Sequence, residues 1–277
     1  MLLLHLVDAR FDAAVVGRLN RGMAMTDVVD AGRCSVPLST ILPQAPASSI
    51  EEVLDVMGAI DGALLPSDGL WWFNHLYLRV TLGVGTAMST ATAFGDPAFL
   101  QRLDVVFANL YFDALAAAEG DPGAAPPAWR PLLGARLTPH LHPLQFALAG
   151  MDAHINRDLP WGIVTVFEQF GGSPSPSDVR HDDFLRVNGI LEGVEQQIKN
   201  EFVTGAVATI DALSAPLDDH LAMWNVRAAR DAAWTNAEVL WALKPTPALQ
   251  RDYFNRLDRF TGFAARGLLA PVSPATT

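Results

Sequence analysis

SDGLWWFNHLYLRVTLGV, residues 67–84, can be read in two ways, and the choice decides the fold. Aromatic and branched residues alternate through LYLRVTL, the pattern of a half-buried strand. Trp72, His75, Leu76 and Arg79 recur instead by three and four, the spacing of one helical face. The helical reading is preferred because both flanking segments read as helices. Upstream, Ser49 precedes Glu51 and Glu52, a cap followed by acidic residues that suit the positive end of a helix. That helix ends near Leu65–Pro66, and Asp68-Gly69 marks the turn. Downstream, Asp96-Pro97 opens a helix with proline at its first position. Phe99, Leu103, Val106, Phe107, Leu110 and Ala114 give it a continuous apolar stripe.

The rest of the chain extends this pattern. A helix begins near Pro143 and runs toward Asp152, and WGIVTVFEQF forms another. In a long one, Phe184, Val187, Leu191, Val194, Ile198 and Phe202 step by three and four, with Leu213 as its farthest limit. Pro216 and Asp218 introduce a helix over 219–243, Pro245 and Pro247 end it, and a last helix covers about 248–267. Residues 6–31 show no clean period, and Gly17 and Gly22 weaken a long helix there. Loops rich in Pro and Gly fall near 32–49, 119–134 and 171–178. The second, EGDPGAAPPAWRPLLG, is near the upper length for a structureless connection and reads as a lid or a domain seam. The expectation is an all-α, compact single-domain bundle of about eight helices over residues 1–277, with no internal repeat.

Composition narrows the partners. Nineteen Lys and Arg against thirty Asp and Glu give a net charge of −11, which repels phosphate backbones and argues against nucleic acid. Cys34 is the single cysteine, so neither an intrachain disulfide nor a thiolate metal cage can form. MLLLHLVDARFDAAVV lacks a basic leader and is broken by His5, Asp8, Arg10 and Asp12, so it does not read as a signal peptide. No stretch of about 18 apolar residues predicts a membrane span. A cytoplasmic protein is the default expectation.

The chemistry concentrates in GMDAHINRDLP, residues 150–160, between two apolar segments. His154 and Asp158 stand four apart, which puts imidazole and carboxylate on one helical face. The carboxylate can orient the ring as a base, or both can ligate one metal ion. The structural alternative is a helix broken before Pro160, with Asn156 and Asp158 as caps and Arg157 paired to an acid. His140 and His142 lie just upstream; His142 also suits the start of a helix at Pro143. RHDDFLRVN, residues 180–188, is the second concentration. His181 and Asn188 fall along a core-facing stripe, and Asp182 and Asp183 suit a helix N-terminus. Third, Arg227, Arg230, Trp234, Glu238 and Trp241 share one helix face, either as core or as the wall of a pocket.

The expected catalytic groups are His154, Asp158 and His181 around one cavity. The expected pocket residues are Trp72, His75, Asp183, Asn188, Arg230 and Trp234. The adjacent aspartates do not extend to the DDxxD pattern of class I terpene synthases. His154 and Asp158 resemble one element of the helical zinc hydrolases of phospholipase C and nuclease type. The N-terminal tryptophan ligand and second histidine pair of those enzymes have no counterpart here, so no metal is expected. No haem or nicotinamide fingerprint occurs, and the sequence points to no particular cofactor.

WFNHLYLRVT, LDVVFANLYFDAL, PLQFALAGMDAHINRDLP, HDDFLRVN and ARDAAWTNAEVLW together resemble an uncharacterised, mainly actinobacterial family of helical proteins. The resemblance spans nearly all of the chain. It implies one domain and brings no reaction with it. The leading expectation is an enzyme of small-molecule or lipid metabolism that uses a His/Asp pocket for acid/base chemistry or water activation. The partner would be an apolar or amphipathic small molecule. The alternative is a non-catalytic helical module that binds a hydrophobic small molecule.

Overall fold

Residues 69–90 form a helix, and with that the strand reading of LYLRVTL is gone. The computed structural model describes residues 37–90, 94–204 and 225–271. The readings made for residues 1–36, including Cys34, for the extension to Leu213 and for the start at Pro216 lie outside the described residues. Within them, the α-helices are α1 (Ile50–Ala63), α2 (Gly69–Thr90), α3 (Pro97–Ala117), α4 (Arg130–Ala135), α5 (Pro143–Ala153), α6 (Leu159–Phe170), α7 (Val179–Thr204), α8 (Val226–Ala242) and α9 (Pro247–Leu268). A π-helical turn, His154–Asp158, joins α5 to α6 without a break, so the bundle holds eight helical rods among the described residues. The fold is an all-α single domain, and none of the described helices is long and apolar enough to cross a membrane.

Local chemistry sets the helix ends where the sequence placed them. Ser49 accepts from the Glu52 N–H at the start of α1, and Asp96 accepts from the Phe99 N–H at the start of α3. Asp68 accepts from the Leu70 N–H and is clamped by Arg136. His142 caps α5: its Nδ1 accepts from the Leu144 N–H while Gln145 accepts from the His142 N–H. His140 is exposed.

The buried face of α2 carries Leu70, Phe73, Asn74, Tyr77, Thr81 and Val84. Of the stripe Trp72, His75, Leu76 and Arg79, Leu76 is buried with this face, while Trp72, His75 and Arg79 are only half-buried. The rod α5–π–α6 runs through the middle of the bundle. It packs against α2 and α9 through α5 and against α3 and α8 through α6. Gly150 on α5 makes the contact with α2 possible, because a Cβ there would run into the Phe73 ring.

The 119–134 segment is neither a lid nor a structureless seam. It holds a 3-10 turn, Pro122–Ala124, and leads into α4. Residues 119–124 are exposed, but Ala125, Ala128, Trp129, Leu132 and Leu133 are all buried, so the later part of the segment folds inward as a plug. Asp258 on α9 accepts from the Ala128 N–H at 2.8 Å. Gly262 lets α9 approach the Pro127 carbonyl so closely that a Cβ would collide with it.

Candidate active site

The expected break before Pro160 is instead a widening of the helix. Pro160 has no N–H to return to the preceding turn, so an α-helical ladder would lose a bond there. The chain answers with an i→i+5 bond, Leu159 N–H to His154 C=O, and carries on as a helix. The cap role foreseen for Asp158 is thereby corrected, since its side chain makes no capping bond. Asn156 donates instead to Asp152 at 2.7 Å.

Asp158 is fully buried and is held by three donors. The Trp129 indole N–H donates to Oδ2 at 2.9 Å, His154 Nδ1 meets the same oxygen at 3.0 Å, and the Arg157 guanidinium donates to Oδ1. Arg157 also forms an ion pair with Asp258 at 3.3 Å and lies over the Phe254 ring. A carboxylate only accepts, so the proton of the His154–Asp158 bond sits on Nδ1. That leaves the lone pair on Nε2, which is buried and has no hydrogen-bond partner among the described residues. The ring stacks on Phe107, with centroids 3.4 Å apart and planes within 6°, and Tyr77 closes on it at 4.6 Å. Burial pulls the imidazole pKa below its usual value. The bond and charge of Asp158 oppose this, and Arg157 adds to it.

His154 lines a chamber between α2, α3, α5, the π turn, α7 and α8. Most of its walls are apolar, among them Phe73, Leu76, Val80, Phe107, Ile155 and Leu191; Tyr77, His154 and Arg230 are the exceptions. A second space adjoins it. Tyr77, Val80, Phe107, Leu191 and Arg230 line both, and Asp104 and Thr81 line the second. Asp104 faces this space from α3. Burial raises its carboxyl to about 7, against the pull of Arg230. Tyr77 stands between the chambers, and burial, then Asp104, then Asp158 push its phenol well above the usual range. It therefore stays a neutral donor.

The other expected residues lie as follows. Arg230 is in the wall of both chambers. Asn188 supports it, accepting from its Nε at 2.6 Å. His181 sits at the start of α7, where its ring faces the Pro176 carbonyl at 3.2 Å and Trp234 at 4.7 Å. It is not among the residues lining either chamber, so the structure does not bring it to His154. Trp234 is buried against Phe184 and donates to Glu238. Trp72 donates to the Pro66 carbonyl, and His75 pairs with Asp61 at 3.0 Å while stacking on Trp71. Neither is among the residues lining the chambers, although Trp72 packs beside Leu76 of the first. Asp183 accepts from the Gly95 and Asp96 N–H groups and binds Arg186, tying α7 to the start of α3.

Three residues that matter were not foreseen. Trp129 comes from a loop, and nothing in its neighbours marks it as the partner of Asp158. Tyr77 was hidden in the ambiguous α2 stretch. Asp104 carried a signal: it lies four after Leu100 and three before Phe107, on a face that is otherwise apolar. Among the described residues, no three His, Cys, Asp or Glu come together so as to hold a metal ion.

A family model described as "Family of unknown function (DUF5995)" matches residues 50–271. No curated protein and no solved structure matches the chain.

Proposed function

Since the chain belongs to that family of unknown function, we propose its activity from the site: His154 acts as a general base on a small apolar or amphipathic molecule held in the chamber beside it. The carrying observation is the buried Nε2 of His154, without a hydrogen-bond partner among the described residues, opposite an Nδ1 fixed by Asp158. Trp129 and Arg157 hold Asp158, so the ring is kept in one orientation and one tautomer. Its lowered pKa keeps the imidazole neutral near pH 7, and a base must begin neutral. Among the described residues lining this chamber there is no Ser, Thr or Cys to serve as a covalent nucleophile. The base therefore works on water or on a hydroxyl of the substrate. As His154 takes the proton at Nε2, Asp158 stabilises the imidazolium that forms.

The test is turnover of p-nitrophenyl esters, from acetate to decanoate, by the wild type and by His154→Ala and Asp158→Asn. Turnover that rises with chain length and falls at least 100-fold in both variants is expected. Turnover equal in wild type and His154→Ala, or none at all, overturns the catalytic reading. The mostly apolar walls then favour the second reading, a binding module without catalysis. Elemental analysis runs beside it: stoichiometric zinc or iron, lost with Asp158→Ala, would make His154 a ligand instead of a base.

A further inference from the structure

Arg230 is a buried cation whose hydrogen-bond partners among the described residues carry no charge, although Asp104 and Asp231 act on it through space. It is 8% exposed. Its Nε donates to the Asn188 amide oxygen at 2.6 Å and its Nη2 to the Phe184 carbonyl at 3.1 Å. Its guanidinium carbon lies 4.0 Å over the Phe184 ring. Two of five N–H groups are thus used, and the residue lines both chambers. A charge in an apolar surround is costly until an anion or a full set of acceptors meets it. Burial draws its pKa down to about 10, so it is still a cation at neutral pH.

We infer that the ligand's polar end is a carboxylate, bound by Arg230 beside Asp104, with its hydrocarbon body running past Tyr77 and Phe107 toward His154. The inference rests on the ligand chamber proposed above and adds the substrate class. The head group follows from the charges present. An amine would face a guanidinium. An alcohol would bring no charge to a guanidinium whose hydrogen-bond partners are neutral. A phosphate dianion would bring two charges to one cation, next to a carboxyl group. A carboxylate brings one charge and a planar pair of oxygens, which match two parallel guanidinium N–H groups. Asp104, with its carboxyl raised to about 7, can hold a proton at neutral pH and donate it to the ligand's second oxygen. The body follows from the walls, where Val80, Phe107 and Leu191 continue the apolar lining from one chamber into the other.

The experiment is calorimetric titration of the full chain with octanoate, octan-1-ol and octylamine. Octanoate is expected to bind at least tenfold more tightly than octan-1-ol, and octylamine not to bind. Arg230→Gln should bring octanoate down to the level of octan-1-ol and leave the alcohol unchanged. Arg230→Lys, which keeps the charge but not the planar fork, should fall between; it also serves if Arg230→Gln fails to fold. His154→Ala should retain the preference for octanoate. Equal binding of octanoate and octan-1-ol, a preference that survives Arg230→Gln, or no binding of any probe at millimolar concentration overturns the inference. A preference for octanoate with no ester turnover sinks only the base role of His154. Turnover without that preference sinks only the carboxylate.

Discussion

Asp158→Asn changes no volume and tests the arrangement at its centre. In the wild type, Trp129 and His154 both address Oδ2 and Arg157 addresses Oδ1. An asparagine has one oxygen and one NH2 group. With its oxygen toward Trp129 and His154, its NH2 confronts the Arg157 guanidinium, donor against donor. With its oxygen toward Arg157, its NH2 confronts the Trp129 N–H. The second orientation keeps the charged donor satisfied and is the one expected. It orphans the Trp129 N–H, which costs about 1–3 kcal/mol in a site this buried. It also removes one carboxylate from Arg157. Losing a buried ion-pair partner costs about 3–5 kcal/mol in full, but Asp258 remains as a second partner, so the lower part of that range applies. Together the variant should lose about 4–6 kcal/mol in equilibrium urea denaturation. The same flip forces His154 to accept at Nδ1, which moves its proton to Nε2. Long-range proton–nitrogen NMR reads this directly, as a change of tautomer at one histidine. A variant within about 1 kcal/mol of wild type that keeps the proton on Nδ1 would refute the network as described.

Two further outcomes are expected. Asp104 holds its proton to about pH 7 in the folded protein, whereas the unfolded chain releases it near pH 4. Folding therefore takes up a proton between those values, and stability declines as pH rises across that window. Asp104→Asn should abolish that part of the decline and gain on the wild type above pH 7, by at most about 4 kcal/mol and by less where water in the chamber screens the charge. A constant difference between the two proteins from pH 4 to pH 8, measured by denaturation, would contradict this. Gly262→Ala would press a methyl group onto the Pro127 carbonyl and should cost about 1–3 kcal/mol, with a change in Trp129 fluorescence because the plug must shift. An unperturbed variant would show that α9 does not hold the plug in place.

How much of this was legible along the chain depends on the range of the interaction. Helix starts were legible because they are set within four residues: Ser49 with Glu52, Asp96 with Phe99, and His142 with Gln145. Helical spacing carried the all-α reading, and it placed His154 and Asp158 on one face four residues apart, the distance at which they bond. What the sequence could not express was which way each helix is turned about its axis. Trp72 and His75 share a helical face as well as Phe73 and Tyr77 do. Packing against α5, where Gly150 admits the Phe73 ring, decides that the second pair goes inward. Proline at 160 announced a disturbance, but a kink, a break and a π turn all relieve the missing N–H. The surrounding helices select the continuous rod. Trp129 reaches Asp158 from 29 residues away, and Arg230 reaches Asn188 from 42. Such pairs are closed only when the whole core forms. The sequence by itself determined the elements and the local dyad. Tertiary structure alone decided which donors hold that dyad, which cation lines its chamber, and that His181 belongs elsewhere.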